Sequence, residues 1–152
     1  MSQATNDAEV LSAPLIIEYP FRRTLGPVLG AFFTGLRAGV MIGVRRPDGS
    51  VLVPPTEYDP DTSEALSDLV EVGQAGVVES WAWVSDPGQK KPLAKPFAWA
   101  LVKLDGAGTS MSHAVDVADE SRMRTGMRVK IRWADERVGS ILDIACFEPE
   151  ES

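Results

Sequence analysis

The chain has a single histidine, His113, and a single cysteine, Cys146. Any chemistry it performs therefore rests mainly on carboxylates, basic side chains and hydroxyls. His113 falls on the same strand face as Met111 and Val115, which predicts a half-buried imidazole tied to a neighbouring polar group. A general base would need a positioned nucleophile or substrate proton, and no motif near His113 supplies one. With no G-x-S-x-G and no second histidine, no nucleophile triad is readable. Cys146, beside Ile144 and Phe147, is expected to be a small buried thiol.

Charged clusters are the next candidates. Glu57, Asp59, Asp61 and Glu64 lack the spacing, central glycine and closing glutamate of a calcium loop, so a solvated acidic loop is expected. Arg128, Lys130 and Arg132, with Arg122, Arg124 and Arg137, form the most basic stretch. With Trp81 and Trp83 as stacking platforms they could line a single-stranded nucleic-acid groove. The simpler reading is the wet face of a half-buried strand. Lys90, Lys91 and Lys95 share one loop and could meet the phosphates of a nucleotide-like ligand as point charges; a soluble surface loop is the alternative. No G-x-G-x-x-G or phosphate-binding loop is present. No catalytic constellation results, which favours a binding or structural subunit over a free-standing enzyme.

Composition narrows the classes further. A chain of 152 residues, 44% hydrophobic, suits one domain with a modest core. Its formal net charge of -7 argues against diffuse attraction to DNA or anionic lipid. One cysteine allows no internal disulfide and no multi-cysteine metal site. The first ten residues lack a basic start and a long apolar core, so no secretory signal is expected there. The apolar run from Leu25 to Val44 is interrupted by Gly26, Pro27, Gly30, Gly35, Arg37 and Gly39, unlike a membrane span. A cytoplasmic protein is expected.

The elements that would position these residues follow from periodicity. Residues 1–18 read as a flexible tail, and a short apolar segment, Leu15 to Tyr19, runs from its end until Pro20 breaks it. Val28, Leu29, Phe32, Phe33 and Leu36 share one face of a helix that Thr24 or Gly26 can cap, that Pro27 can open and that Gly39 ends. Val40 to Arg45 and Ser50 to Val53 read as a hairpin around Asp48-Gly49, and Pro54-Pro55 stiffens its exit. Strands are predicted over Leu69–Val84 (bent at Gly73 and Gly76), Phe97–Leu104, Thr109–Val115, Met127–Trp133 and Ser140–Phe147, with a short helix near Val117–Arg124. Five strands with a helix between the third and fourth is the order of an OB-fold, a five-stranded Greek-key barrel.

Several segments together resemble one family. They are the apolar helix leading to G-V-R-R-P-D-G-S-V-L-V-P-P, then G-V-V-E-S-W-A-W-V, A-L-V-K-L-D-G and M-R-T-G-M-R-V-K-I-R-W. In order and spacing these are similar to the domain of unknown function 35 family, over roughly Tyr19 to Pro149. That resemblance implies a mainly β chain: an N-terminal helix and a rubredoxin-like ribbon over 19–68, an OB-fold over 69–149, and a short tail at 150–152. Typical members carry C-x-x-C-G and then P-P-x-x-x-C-x-x-C. Here the first pair falls within V-R-R-P-D (Val44 to Asp48) and the second on Asp59 and Thr62. Asp48, Asp59 and Thr62 cannot replace four thiolates, so no zinc is expected at this ribbon.

The resemblance also implies a role beside thiolase-fold enzymes acting on acyl-CoA. Similar subunits partner lipid-transfer-type, thiolase-like aldolases in steroid side-chain degradation. The expected function is a non-catalytic accessory subunit assisting acyl-CoA binding and carbon–carbon cleavage, by a retro-aldol or thiolytic step, in a heteromer. Phe32, Phe33, Leu36, Trp81 and Trp83 are the expected partner-binding residues. Lys90, Lys91, Lys95 and His113 are the acyl-CoA-contacting candidates. The alternatives are a nucleic-acid-binding OB module and a stand-alone acyl-CoA carrier.

Overall fold

A computed structural model describes residues 11–89 and 92–151. Its elements run α1 (Gly26–Ala38), β1 (Met41–Arg45), β2 (Val51–Leu52), β3 (Asp68–Val72), β4 (Ala75–Val84), β5 (Phe97–Leu104), β6 (Met111–Val115), β7 (Arg128–Trp133) and β8 (Ile144–Pro149). Strands β4-β5-β6-β8-β7 close into a barrel, while β2-β1-β3 form a separate three-stranded sheet. The expected OB-fold, helix and ribbon hairpin are all present. Two short 3-10 turns, Glu120–Arg122 and Ile141–Asp143, replace the predicted helix near Val117–Arg124 and the start of the last strand.

The helix buries Val28, Phe32, Gly35 and Leu36, the face that its apolar spacing predicts. Neither Thr24 nor Gly26 caps it. Leu25 flanks the first turn with no side-chain cap, and Pro27 occupies that turn, where its missing N–H costs nothing. At the other end Gly39 adopts φ 75°, and its N–H donates to Leu36 O while that of Val40 donates to Gly35 O. These paired bonds satisfy the last carbonyls and turn the chain straight into β1. Gly35 sits where a Cβ would come within 2.9 Å of Ile42 Cγ1 and of Val40 O, so the helix lies almost on the strand.

The predicted single strand from Leu69 to Val84 is two. β3 pairs with β1, from Met41↔Val72 to Arg45↔Asp68, whereas β4 pairs with β5 and β7. The chain changes sheets at Gly73 and Gln74. In β5 it is the small side chains, Ala98 and Ala100, together with Val102 and Leu104, that are buried, while Trp99 and Leu101 are exposed. In β7 Val129 and Ile131 are buried and Arg128 and Lys130 exposed, as the alternation predicts.

Ribbon and barrel share a core. Phe32, Leu36, Met41, Val51 and Val53 join the cluster that contains Val78, Val102, Val115, Ile144 and Phe147. The ribbon is tied polar-to-polar as well: Thr109 Oγ1 accepts from Val53 N–H and donates to Val53 O, and Gly108 N–H donates to Val51 O. Among the described residues, no helix is long and apolar enough to cross a membrane.

Candidate functional site

The knuckle after β1, where the sequence resemblance implies metal ligands, is filled by an arginine. Its first turn closes through Arg46 N–H to Ser50 O and Gly49 N–H to Arg46 O, while Asp48 Oδ1 accepts from the backbone and hydroxyl of Ser50. Its second turn is organised by Asp59, whose Oδ1 accepts from the N–H groups of Asp61 and Thr62. Between the turns Arg46 donates Nε to Asp59 Oδ2 at 2.8 Å and Nη2 to Asp59 Oδ1 at 3.0 Å, and it also meets Asp61. Asp48 lies 3.7 Å from Nη1. The planar fork of a guanidinium matches a carboxylate edge in this two-point way.

Asp59 is only 3% exposed. Its Arg46 partner and the two N–H donors hold its carboxyl well below the usual range. The expectation of a solvated acidic loop is corrected at Asp59, which is buried and paired; Asp61 and Glu64 stay exposed, Asp61 meeting Arg46, and Glu57 pairs with Arg23 at 2.8 Å. The donor set does not fit zinc, because it offers no thiolate or imidazole and its carboxylates already neutralise a fixed cation.

Of the expected partner-binding residues, Phe32 and Leu36 belong to the core, while Phe33, Trp81 and Trp83 pack against it half-buried, with part of each ring open. Phe33 meets Phe32 edge-on, with ring centroids 5.3 Å apart. The exposed apolar surface is elsewhere. On the barrel wall Trp99 stacks on His113 at 6.2 Å beside Leu101. In the loop before β8, Val138, Ile141 and Leu142 are exposed. That loop is rigidly built: buried Asp143 accepts from the N–H groups of Val138, Gly139 and Ser140. Burial opposes ionisation of Asp143, yet those three donors keep its carboxyl below the ordinary range.

The loop also grips the helix. Arg137 Nε donates to Arg37 O at 3.1 Å, and Gln74 bridges Gly39 O to the indole of Trp133.

Among the acyl-CoA candidates, His113 is buried, and its Nδ1 accepts from Ala114 N–H at 2.9 Å. The tie to a neighbouring polar group is thus present. Burial lowers its basicity, and protonating Nδ1 would break the bond it accepts, so the ring stays neutral near pH 7 with its proton on Nε2. Lys95 is 2.7 Å from Asp116, which Arg132 also meets at 2.8 Å. Lys90 and Lys91 lie outside the described residues. Lys95 lies at the edge of an open cleft of about 540 Å³ whose walls carry Arg122 and Lys130 against Asp116 and Glu148.

The basic stretch is balanced in the same way. Arg128 makes two 2.7 Å bonds to Asp105 and one to Glu150, and Arg132 reaches Asp116 and Glu148. A phosphate backbone would have to displace these carboxylates.

Burial raises the Cys146 thiol to about 11. Among the described residues no group of three histidine, cysteine or acidic side chains forms a metal-ion site.

Residues 69–134 match the family described as the ChsH2 C-terminal OB-fold domain. Comparison with curated protein sequences gives no match. Among solved structures, the fold is similar to a DUF35-family protein of unknown function from Sulfolobus solfataricus. That pair has a TM-score of 0.61 and 19% identity, covering 82% of this chain and 87% of the other. It is also similar to a chain of an assembly described as the Ltp2-ChsH2(DUF35) aldolase, with a TM-score of 0.59 and 19% identity, covering 78% and 91%. The likeness read from the sequence is thus found again in both the barrel's family match and the fold of nearly the whole chain.

Proposed function

We propose, from a barrel that matches the ChsH2 C-terminal OB-fold family, that this chain is a non-catalytic subunit of a thiolase-like, lipid-transfer-type aldolase. The supporting observation is that match over residues 69–134, in a chain whose fold parallels a component of an aldolase assembly. The substrate we assign is an acyl-CoA with a bulky lipid or steroid side chain. The reaction is carbon–carbon cleavage by a retro-aldol or thiolytic step, carried out by residues of the partner. The chemistry of this chain is consistent with that division. Its one thiol is held protonated by burial, and its one imidazole is neutral and engaged.

In this reading the subunit orders the partner's active-site loops and helps close the acyl-CoA channel. Phe33, Trp81 and Trp83 face the partner, while Lys90, Lys91, Lys95 and His113 border the channel. The knuckle takes no zinc, and the complex works in the cytoplasm. Co-expression with a thiolase-like aldolase subunit tests the proposal. A stable heteromer with carbon–carbon cleavage activity greater than that of the partner alone is expected. Clean separation on size exclusion, with partner activity unchanged by this chain, would sink it.

A further inference from the structure

Residues 11–25, which precede α1, form neither helix nor strand. They carry Leu15, Ile16, Ile17, Tyr19 and Phe21, each at least 75% exposed. Among the described residues no backbone–backbone hydrogen bond joins 11–24 to the rest of the chain, and Arg23 supplies a side-chain tie, to Glu57. So much exposed apolar surface in one short segment is the mark of a surface that another molecule covers, and its solvated peptide groups remain free to pair with a neighbouring strand.

The order of the residues indicates what covers them. In an extended strand, side chains alternate between the two faces, and the N–H and C=O of every second residue point to the same edge. Leu15, Ile17, Tyr19 and Phe21 are the odd set: one face, one edge, all with N–H groups. Pro14 and Pro20 are both in the even set, with Ile16, Glu18 and Arg22. Both missing donors therefore fall on a single edge. Proline is tolerated in sheets where its blank side faces outward, so this stretch is written as an outermost strand with one edge competent to pair and the other blocked.

Among the described residues no strand of this chain pairs with the segment: the barrel strands close on one another, β2 has two residues, and the free side of β3 is five residues long and carries the exposed carboxylates Asp68 and Glu71. We propose that residues 13–21 add as an edge strand to an open β-sheet of the thiolase-like partner, laying Leu15, Ile17, Tyr19 and Phe21 on an apolar floor there. This rests on the assignment above that such a partner exists.

Two full-length variants separate the possibilities. Ile17→Pro deletes a donor on the pairing edge, and Ile16→Pro deletes one on the blocked edge; each removes one isoleucine. Both free chains should melt with the unaltered protein, since both residues are at least 75% exposed and no backbone hydrogen bond ties them to the folded part. Losing the Ile17 bond, with its acceptor left buried, should weaken the heteromer about tenfold or more. Ile16→Pro should stay within about threefold of the unaltered chain. Amide exchange should slow at Leu15, Ile17 and Tyr19 in the complex, and not at Ile16 and Glu18.

If the two prolines act alike, or exchange is unchanged, the edge-strand assignment is wrong while the heteromer stands. If the chain alone self-associates and Ile17→Pro abolishes this, the occupant is a second copy and the proposal is overturned. If the unaltered chain forms no heteromer, the subunit assignment fails first and this inference goes with it.

Discussion

At the scale of single residues, Arg46 and Asp59 close the knuckle as an ion pair. It is held by one guanidinium, a buried carboxylate and two flanking acids. Lysine cannot reproduce the fork. We expect Arg46→Lys and Arg46→Met to lower the melting temperature alike, with Asp59→Asn comparable. A normal melting temperature for Arg46→Met would show that the pair contributes little.

The pH dependence has a definite sign. The folded-state carboxyl of Asp59 sits below its unfolded value of about 4, so its contribution is complete above about pH 4 and is lost as pH falls further. In acid titrations of stability Asp59→Asn should flatten that limb, and an unchanged slope would contradict the assignment. Cys146 belongs to this scale too. With its thiol raised to about 11 and fully buried, it should resist thiol reagents at pH 8 until the chain is unfolded.

At the scale of elements, two glycines in one helix have opposite meanings. A Cβ at Gly30 would meet nothing within 4 Å, while one at Gly35 would press on Ile42 and the Val40 carbonyl. Gly30→Ala should therefore raise the melting temperature by roughly 2–4 °C, from about 1 kcal/mol of helix propensity. Gly35→Ala should lower stability by about 1–3 kcal/mol, because the helix must lift from β1. Thermal denaturation of the two variants decides this, and equal shifts would contradict the close approach. In a heteromer Gly30→Ala carries a second readout: weaker assembly would place a partner backbone over that open spot.

What was legible in the sequence divides at this scale. Local periodicity gave α1, the hairpin, β5 and β7 nearly to the residue, because each is set by neighbours a few positions away. It assigned no core face to β5, where the large side chains of Trp99 and Leu101 lie exposed. A small barrel fills instead with Ala98 and Ala100, which leave room for Phe147 and Val102. It also merged β3 with β4, since nothing local tells a strand which sheet it joins. The Arg46–Asp59 pair was invisible for the same reason: thirteen positions separate the partners, and an acidic loop looks solvated until its cation is found. Pro14 and Pro20 could have been read by parity without any coordinates.

At the scale of the whole molecule, ribbon, helix and barrel share one apolar cluster and the ties made by Thr109, Gln74 and Arg137. The chain should therefore unfold in one cooperative transition, with ribbon and barrel probes coincident. Two separated transitions would argue for independent units. In the proposed heteromer, replacing Lys90, Lys91 and Lys95 together by alanine should raise KM for acyl-CoA several-fold, more at low salt, with kcat little changed. An unchanged KM would remove those lysines from the channel.

The fixed cation in the knuckle has a further consequence for supply. A metal site must be loaded after synthesis, and its ligands compete with other chelators and with oxidants for their fate. A guanidinium arrives with the polypeptide and cannot be stripped, exchanged or oxidised away under the same conditions. A ribbon closed by Arg46 and Asp59 is complete once the chain is folded, with no loading step between translation and the finished knuckle.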